Sequence, residues 1–464
     1  MFCLDFNYDV IIAGAGIGGK ILALKVAKAG YSTLLIDMKP REKIGLKVCG
    51  DGISASYFDK IGIPKPQGDE LSSVIYASEV ISPDRKHKLI VRGEGYTIDR
   101  LKFEQRLLND ALRNGAELMD MTSVVRPIVK NNEVRGIVVK NLKTGEVKEL
   151  TARVTVEATG QASAIRLRLP DETIIEKHID KFDIAAAYRD IVEFNEEPEW
   201  GKDSIYIYLS HKYAPGGYTW IFPKGKLIAN IGLGIQPIKN APTPVRLLKK
   251  FYEDWGIKPS GVIHTGGGFV PVRRPLSQIA LNGLILLGDA ASQANPLHGG
   301  GMGHAMIGAH IASMVINNGL ESREGVLSMN DLWPYAVEYM RTDGAKNAAL
   351  EIIRILLQGF TDEEINFIMK EKIVSGEELY QIESKPKESS SIWSKILRAV
   401  MHGKFGLLNR LRIAKDLYSK IHEAFENYPE KPSDLPEWHD KVNRIVKHAR
   451  DKLWRNPVEH TYMK

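Results

Sequence analysis

Cysteine is nearly missing from this chain: 464 residues contain Cys3 and Cys49 and no other. That excludes a disulfide framework and any cysteine-rich metal or iron–sulfur cluster, and it fits a reducing compartment. Long apolar runs are missing too, since none approaches the roughly 18 residues that cross a bilayer. Met1 to Asp9 carries no Lys or Arg, so no basic signal-peptide region is read there and a cytoplasmic protein is expected. Neither charge sign dominates, the formal net charge being +6, and no nucleic-acid partner is expected. A hydrophobic fraction of 44% and a mean hydropathy of -0.20 describe a globular chain. At this length two or three regions that share or interleave cores are expected.

What is abundant is glycine in particular places. Tyr8 to Ala13 reads as a buried strand that breaks into Gly14, Gly16 and Gly19 before a helical run ending near Gly30. A dinucleotide-binding βαβ unit needs those glycines for a tight turn, for close approach of the backbone to a pyrophosphate, and for packing of helix on strand. The helix N-terminus then receives the phosphates. A second strand, Thr33 to Ile36, ends at Asp37, about 20 residues on, where a ribose hydroxyl needs an acceptor.

Farther along, Met38 to Ala55 reads as a long loop containing Lys47-Val48-Cys49-Gly50-Asp51-Gly52. Strands are expected at Ser73–Ile81 and Lys88–Val91, and a helix from Asp99 with Arg100, Phe103, Leu107 and Leu108 at helical spacing. Val124 to Val154 reads as a three-stranded meander that leads into a strand ending Ala158-Thr159-Gly160, which returns to the first sheet. Ile205–Leu209, Tyr218–Phe222 and Leu227–Ile235 form a separate, largely antiparallel sheet. Gly283 to Asp289 is another buried strand, followed by a small-residue helix from His304 to Val315. Beyond Leu327 the pattern is mostly helical, with a polar break at Ser384–Ser391. From Ser384 onward 17 Lys and Arg face 10 Asp and Glu. Trp393, Ile396, Leu397 and Val400 recur there at helical spacing with Lys395 and Arg398 opposite, a basic amphipathic helix. Packing on the protein's own body is the first expectation for it, and an anionic lipid surface or a lid over a lipid tunnel the second.

Four elements in this order resemble the FAD-binding fold of para-hydroxybenzoate hydroxylase and, more closely, the geranylgeranyl reductase family of flavoproteins. They are the first glycine motif, the Arg100 helix, the Ala158-Thr159-Gly160 strand, and Leu287-Gly288-Asp289-Ala290-Ala291 followed by Pro296 and Gly299-Gly300-Gly301. Pro215-Gly216-Gly217-Tyr218-Thr219-Trp220-Ile221-Phe222-Pro223 matches every fixed position of that family's Pro-x-x-Tyr-x-Trp-x-Phe-Pro signature. Alternation puts Tyr218, Trp220 and Phe222 on one face, an aromatic wall suited to a long apolar chain.

The resemblance implies an α/β fold: a Rossmann-like FAD-binding domain (1–72, 99–180 and 270–325), an interleaved antiparallel-sheet substrate domain (73–98 and 181–269) and a helical C-terminal region (326–464). It implies bound FAD, with Asp289 on the ribityl chain, Gly300, Gly301 and Met302 against the flavin ring, and Arg100 at its phosphate or ribityl region. Val124 falls at the cofactor in the same way, as do Cys49, Gly50 and Gly52, which resemble a Cys-Gly-(Asp/Glu)-Gly loop laid over the flavin. The implied activity is saturation of isolated C=C bonds in a polyprenyl lipid, by hydride from flavin N5 and a proton from Cys49, Tyr218 or water, with Trp220 in the wall. NADH, NADPH or ferredoxin would supply electrons, and contact with a membrane surface would be peripheral. The competing expectation is a flavin-dependent monooxygenase. Halogenases of this fold carry Trp-x-Trp-x-Ile-Pro, where this chain has Tyr218 and Phe222. A lipid carrier would have no need of the Asp289 to Gly301 cradle.

Overall fold

A computed structural model of the chain describes residues 6–170, 175–384 and 405–462; the amphipathic stretch around Trp393 to Val400 lies outside them. Along the chain run β1 (Tyr8–Ala13), α1 (Ile17–Lys28), β2 (Thr33–Ile36), β3 (Gly52–Ser54), α2 (Ser56–Ile61), β4 (Leu71–Ile81), β5 (Lys88–Ile98) and α3 (Arg100–Arg113). Next come β6 (Glu117–Met119), β7 (Thr122–Lys130), β8 (Glu133–Asn141), β9 (Val147–Glu157), β10 (Ile184–Glu193), β11 (Ser204–Tyr208), β12 (Tyr218–Pro223) and β13 (Ile228–Ile235). The remainder is α4 (Pro244–Trp255), β14 (Gly261–Pro271), β15 (Ala280–Leu281), β16 (Leu284–Leu286), α5 (Met302–Ser322), α6 (Met329–Tyr339), α7 (Ala345–Gln358), α8 (Asp362–Lys370), α9 (Gly376–Ser384), α10 (Phe405–Glu426), α11 (Leu435–Leu453) and α12 (Pro457–Tyr462).

Two sheets result. The first has the order β15-β16-β9-β1-β2-β6, with β7 and β8 continuing from β9 as the meander. Its central pairs, β1 with β2 and with β9, are parallel. Burial of Val10 to Ala13 and Leu34 to Ile36 follows, because a parallel sheet is covered on both faces. The second sheet has the order β14-β10-β13-β12-β11-β4-β5-β3 and is antiparallel except where β11 meets β4. One face of it packs Ile221, Ile231 and Leu233 against Leu247, Leu248 and Phe251 of α4. Its other face turns toward the first sheet.

Three details differ from the sequence reading. Gly52–Ser54, inside the Met38–Ala55 loop, is the short strand β3, paired with Gly95–Thr97 of β5; the second sheet thus reaches across the expected boundary at residue 72. The strand expected at Lys88–Val91 runs on to Ile98, since β5 has β4 on one edge and β3 on the other to satisfy its backbone. The last meander strand and the strand returning to the first sheet are one, β9, pairing with β8 at Val147–Thr151 and with β1 at Ala152–Glu157. No helix among the described residues is long and apolar enough to cross a membrane.

The C-terminal helices are fastened by ions. Asp183 at the foot of β10 receives Arg354 of α7 at 2.9 Å and Arg450 of α11 at 2.5 Å, while Arg274 meets Glu351 at 3.3 Å and Arg273 meets Glu176 at 2.7 Å. Burial pushes the Glu176 carboxyl up, but Arg273 and Arg274 outweigh it and bring it from 4.5 to about 2. Asp183 is also held below the ordinary range, burial being overcome by Arg354, Arg273 and Arg450. Both groups have lower values folded than unfolded, so the stability they contribute is present above the ordinary carboxylate range and lost as pH falls through it. Asp183→Asn, which leaves Arg354 and Arg450 without their anion, should cost about 3–5 kcal/mol. Urea unfolding should show that loss near neutral pH and a shallower decline for the variant in acid; equal stability of variant and wild type would show the network to be ornamental.

Candidate active site

Each glycine of the first motif has a different steric reason. A Cβ on Gly14, whose φ is +110°, would stand 2.2 Å from the Ala158 carbonyl oxygen, and one on Gly19 would stand 2.1 Å from that of Gly14. Gly16 faces open space, with nothing within 4 Å of a Cβ. Tight turn, close helix packing and an unobstructed approach are thus all present. Asp37, at the end of β2, accepts from the amides of Ala15 at 3.0 Å and Lys39 at 2.9 Å, which fixes its carboxylate beside the glycine turn.

The capping pattern points the same way. α3, α4, α6 and α8 start with side-chain caps from Asp99, Thr243, Ser328 and Thr361. α1 and α5 have no side-chain cap, as is also true of α2, α7 and α11; the glycine turns at Gly16 and Gly301 leave the first amides of α1 and α5 open to an outside anion. Beneath α1 lies a buried ion cluster: Glu104 takes Lys20 at 2.5 Å and the Arg100 Nε at 2.6 Å. Burial raises the Glu104 carboxyl, yet the two cations bring it to about 2. The Arg100 terminal nitrogens take no partner among the described residues. The residues present therefore fit a dinucleotide pyrophosphate.

The second cradle follows β16. Gly288 takes φ +67°, a conformation open to glycine, and Asp289 follows with its carboxylate largely buried. A Cβ on Gly301 would stand 3.2 Å from Asp289 Oδ1, and one on Gly300 2.6 Å from the His298 ring. The Met302 side chain is in the core, so its backbone amide is what it has to offer there. Val124 sits half-buried at the start of β7.

Across from these stands the second sheet. Tyr218, Trp220 and Phe222 share one face, with ring centroids 6.0 and 6.2 Å apart. Ile221 between them joins the α4 core, whereas a Cβ at Gly232 would meet the Trp220 ring at 2.4 Å and Arg189 at 2.5 Å. The Trp220 indole donates to Asn230 Oδ1 at 3.0 Å. The Asn230 amide nitrogen donates in turn to the Cys49 carbonyl at 2.7 Å and to Asp51 Oδ2 at 3.2 Å. Phe222 lies over Gly50 and Gly52, where Cβ atoms would come within 2.8 and 3.2 Å of its ring, and Val48 fills the space above Gly266. Asp51, at φ 63°, is also held by Lys224 at 3.2 Å. Two contacts close the other side: Lys47 reaches Asp289 at 2.7 Å, and the Tyr218 hydroxyl donates to the His298 carbonyl at 2.6 Å. The Cys49 loop, aromatic wall and Asp289–Gly301 loop are thus brought together, while Gly14–Gly19 and Asp37 lie at the end of the first sheet. The sequence reading missed Asn230, Lys47 and Arg189. For Asn230 a signal existed: it is the one polar residue in the run Ile228–Ile235, and it is fully buried.

Among solved structures, a geranylgeranyl bacteriochlorophyll reductase-like protein of Thermoplasma acidophilum superposes with a TM-score of 0.72 at 26% identity, over 78% of this chain and 90% of that one. A flavin-dependent brominase superposes with a TM-score of 0.62 at 16% identity, over 95% and 99%, and shows the shared fold. The architecture is thus that of the flavin-dependent oxidoreductases. The geranylgeranyl reductase catalytic domain model matches residues 183–270, the span from β10 into β14. Digeranylgeranylglycerophospholipid reductase of Sulfolobus acidocaldarius is 36% identical over 445 residues, covering 95% of this chain and 98% of that one. Digeranylgeranylglycerophospholipid reductase 2 of Methanococcoides burtonii is 31% identical over 78% of this chain and 86% of its own. The chain belongs to the digeranylgeranylglycerophospholipid reductase family.

Because Asn230 is the tie between wall and loop, Asn230→Ala leaves the Trp220 N–H and the Cys49 carbonyl without their partner, at about 1–3 kcal/mol for each buried group orphaned. Hydrogen exchange should accelerate at residues 47–52 while the α4 side of the sheet stays protected. Unchanged protection of that loop would mean that other contacts hold it.

Proposed function

We propose that this protein is an FAD-dependent reductase that saturates isolated C=C bonds of geranylgeranyl chains in archaeal ether-lipid precursors. The observation that carries the reading is the juxtaposition, across the Cys49–Gly52 loop, of a dinucleotide cradle with an aromatic wall. Family membership and the family's named activity support it. In this reading residues 1–72, 99–180 and 270–325 hold FAD, 73–98 and 181–269 present the substrate, and 326–464 brace the two.

The uncapped first amides of α1, from Gly16 to Gly19, would take the pyrophosphate, with Gly14, whose amide donates to the Ile36 carbonyl at 2.8 Å, shaping the turn; Asp37 would take the ribose hydroxyls and Val124 would pack beside them. Arg100, paired with Glu104 and close to Cys49 and Asp51, adds charge. Asp289 would take the ribityl hydroxyls, and the amides of Gly301 and Met302 would serve the ring edge where negative charge collects, while Gly300, whose amide donates to His298 Nδ1 at 3.0 Å, would let the loop approach the ring. Cys49, Gly50 and Gly52 cover the ring. FAD, when bound and reduced by an external donor, NADH, NADPH or ferredoxin, supplies hydride from N5.

An unactivated alkene has no carbonyl to hold negative charge, so protonation leads and the more substituted carbon becomes electron-poor. Tyr218 and Trp220 present ring faces that stabilise such a centre and exclude water. The Tyr218 hydroxyl proton is engaged by His298, which leaves the half-buried Cys49 thiol as our choice of proton donor. A lipid tail must leave its bilayer to arrive here. Val262, Ile263 and Phe269 are exposed on β14, the edge strand that also carries Gly266, and support peripheral membrane contact there.

Photoreduced protein incubated anaerobically with geranylgeranyl diphosphate or an unsaturated archaeal phospholipid should yield, by mass spectrometry, products heavier by one hydrogen molecule per bond. If neither gains hydrogen while the flavin stays reduced, the substrate is misassigned. Cys49→Ala should bind FAD normally yet slow product formation by about 10²–10⁴-fold; full activity of this variant would move the donor role elsewhere.

A further inference from the structure

A buried polar chain lies behind the second cradle, separate from the wall and loop. The Tyr57 ring is pressed on Gly303, where a Cβ would come within 2.3 Å of it. Its hydroxyl stands 3.2 Å from His304 Nε2, and His304 Nδ1 stands 3.5 Å from Asp343 Oδ1. His304 and Asp343 are 5% and 7% exposed. The chain thus runs from His304 in the first turn of α5, three residues past Gly301, to Met340–Gly344, which winds as a π-helix between α6 and α7. A π-turn interrupts regular bonding at a cost and concentrates at functional sites; here it sets Asp343 opposite the imidazole. The hydroxyl of fully buried Tyr339 has no hydrogen-bond partner among the described residues. Burial pushes the Asp343 carboxyl up, but the His304 contact and the charges of His304, Lys346 and Lys60 outweigh it and hold it below the ordinary carboxylate range. Tyr57 and Lys60 of α2, Tyr339 and Asp343 before α7, and Lys346 on α7 are the titratable groups around the imidazole.

We infer that His304 takes up a proton when the bound flavin is reduced, with Asp343 as its counter-charge and Tyr57 as its reversible hydrogen-bond partner. The inference rests on the flavin reading above. When the bound flavin is reduced by two electrons from the external donor, one proton would go to the ring and the second would be taken by the imidazole, which would leave the ring anionic. While His304 is neutral with its proton on Nδ1, the Tyr57 O–H donates to Nε2. Once His304 is charged, Nε2–H donates to the Tyr57 oxygen, and the Tyr57 hydroxyl proton turns elsewhere. Histidine is the side chain whose ordinary titration falls in the physiological range, and Asp343 gives it the anion that such a switch needs.

The test counts protons. Holoenzyme is reduced anaerobically by light in weak buffer with a pH indicator, in the wild type, His304→Gln and Asp343→Asn. Near neutral pH the wild type should take up one proton more per two electrons than His304→Gln. Asp343→Asn should keep the extra proton but move its midpoint down by about one to three pH units, the size of a lost close counter-charge. Equal counts at every pH in all three proteins overturn this inference and leave the reductase reading intact. A wild type that holds no flavin removes both. Should His304→Gln fail to fold, the Asp343→Asn midpoint decides alone, an unshifted midpoint being the contrary result.

Discussion

The fully buried Asn230 amide is the constraint on which the site depends. One carboxamide holds an indole on its oxygen and a carbonyl and a carboxylate on its nitrogen. Those partners come from two segments some 170 residues apart in sequence, and each would be costly to bury without a partner. Fixing them together sets the distance between the aromatic wall and the Cys49 loop, while Phe222 over Gly50 and Gly52 fills the remaining space. The left-handed backbone of Asp51 is sustained by this surrounding structure.

The cofactor end is built on the opposite logic. There the structure withholds partners: two helices start without side-chain caps, and one carboxylate is asked to balance Lys20 and Arg100. Amides left unused at a helix start are stabilised when an anion binds them. One half of the cleft is thus satisfied internally and rigid, and the other half is left open to its ligand. A reductase needs both, because hydride transfer requires reacting atoms held at near-contact distance.

Much of this was legible in the sequence where cause and effect lie close together. Gly14, Gly16 and Gly19 each answer a requirement a few residues away or on the adjoining strand, and Asp37 ends the next strand in register. Alternation along Tyr218–Phe222 placed the rings on one face, because a strand has only two. The helix expected from Asp99 begins at Arg100, with Asp99 as its cap. What was not legible depends on tertiary pairing. β3 is a strand because β5 lies beside it. Lys47 reaches Asp289 across 242 positions, and Tyr57 reaches His304 across 247; no local spacing encodes either contact. Asn230 showed as a polar residue in an apolar strand, but its partners could be named only from the fold.

In the proposed reaction a geranylgeranyl chain oxidises a flavin seated against the Tyr218 and Trp220 wall. Anaerobic stopped-flow spectroscopy of the photoreduced protein measures this directly in a single turnover. Mixing with an unsaturated geranylgeranyl lipid should restore the oxidised flavin band in one phase, and mixing with its fully saturated counterpart should leave the spectrum unchanged. Recovery of the band at the same rate with both lipids, or with neither, would contradict the account.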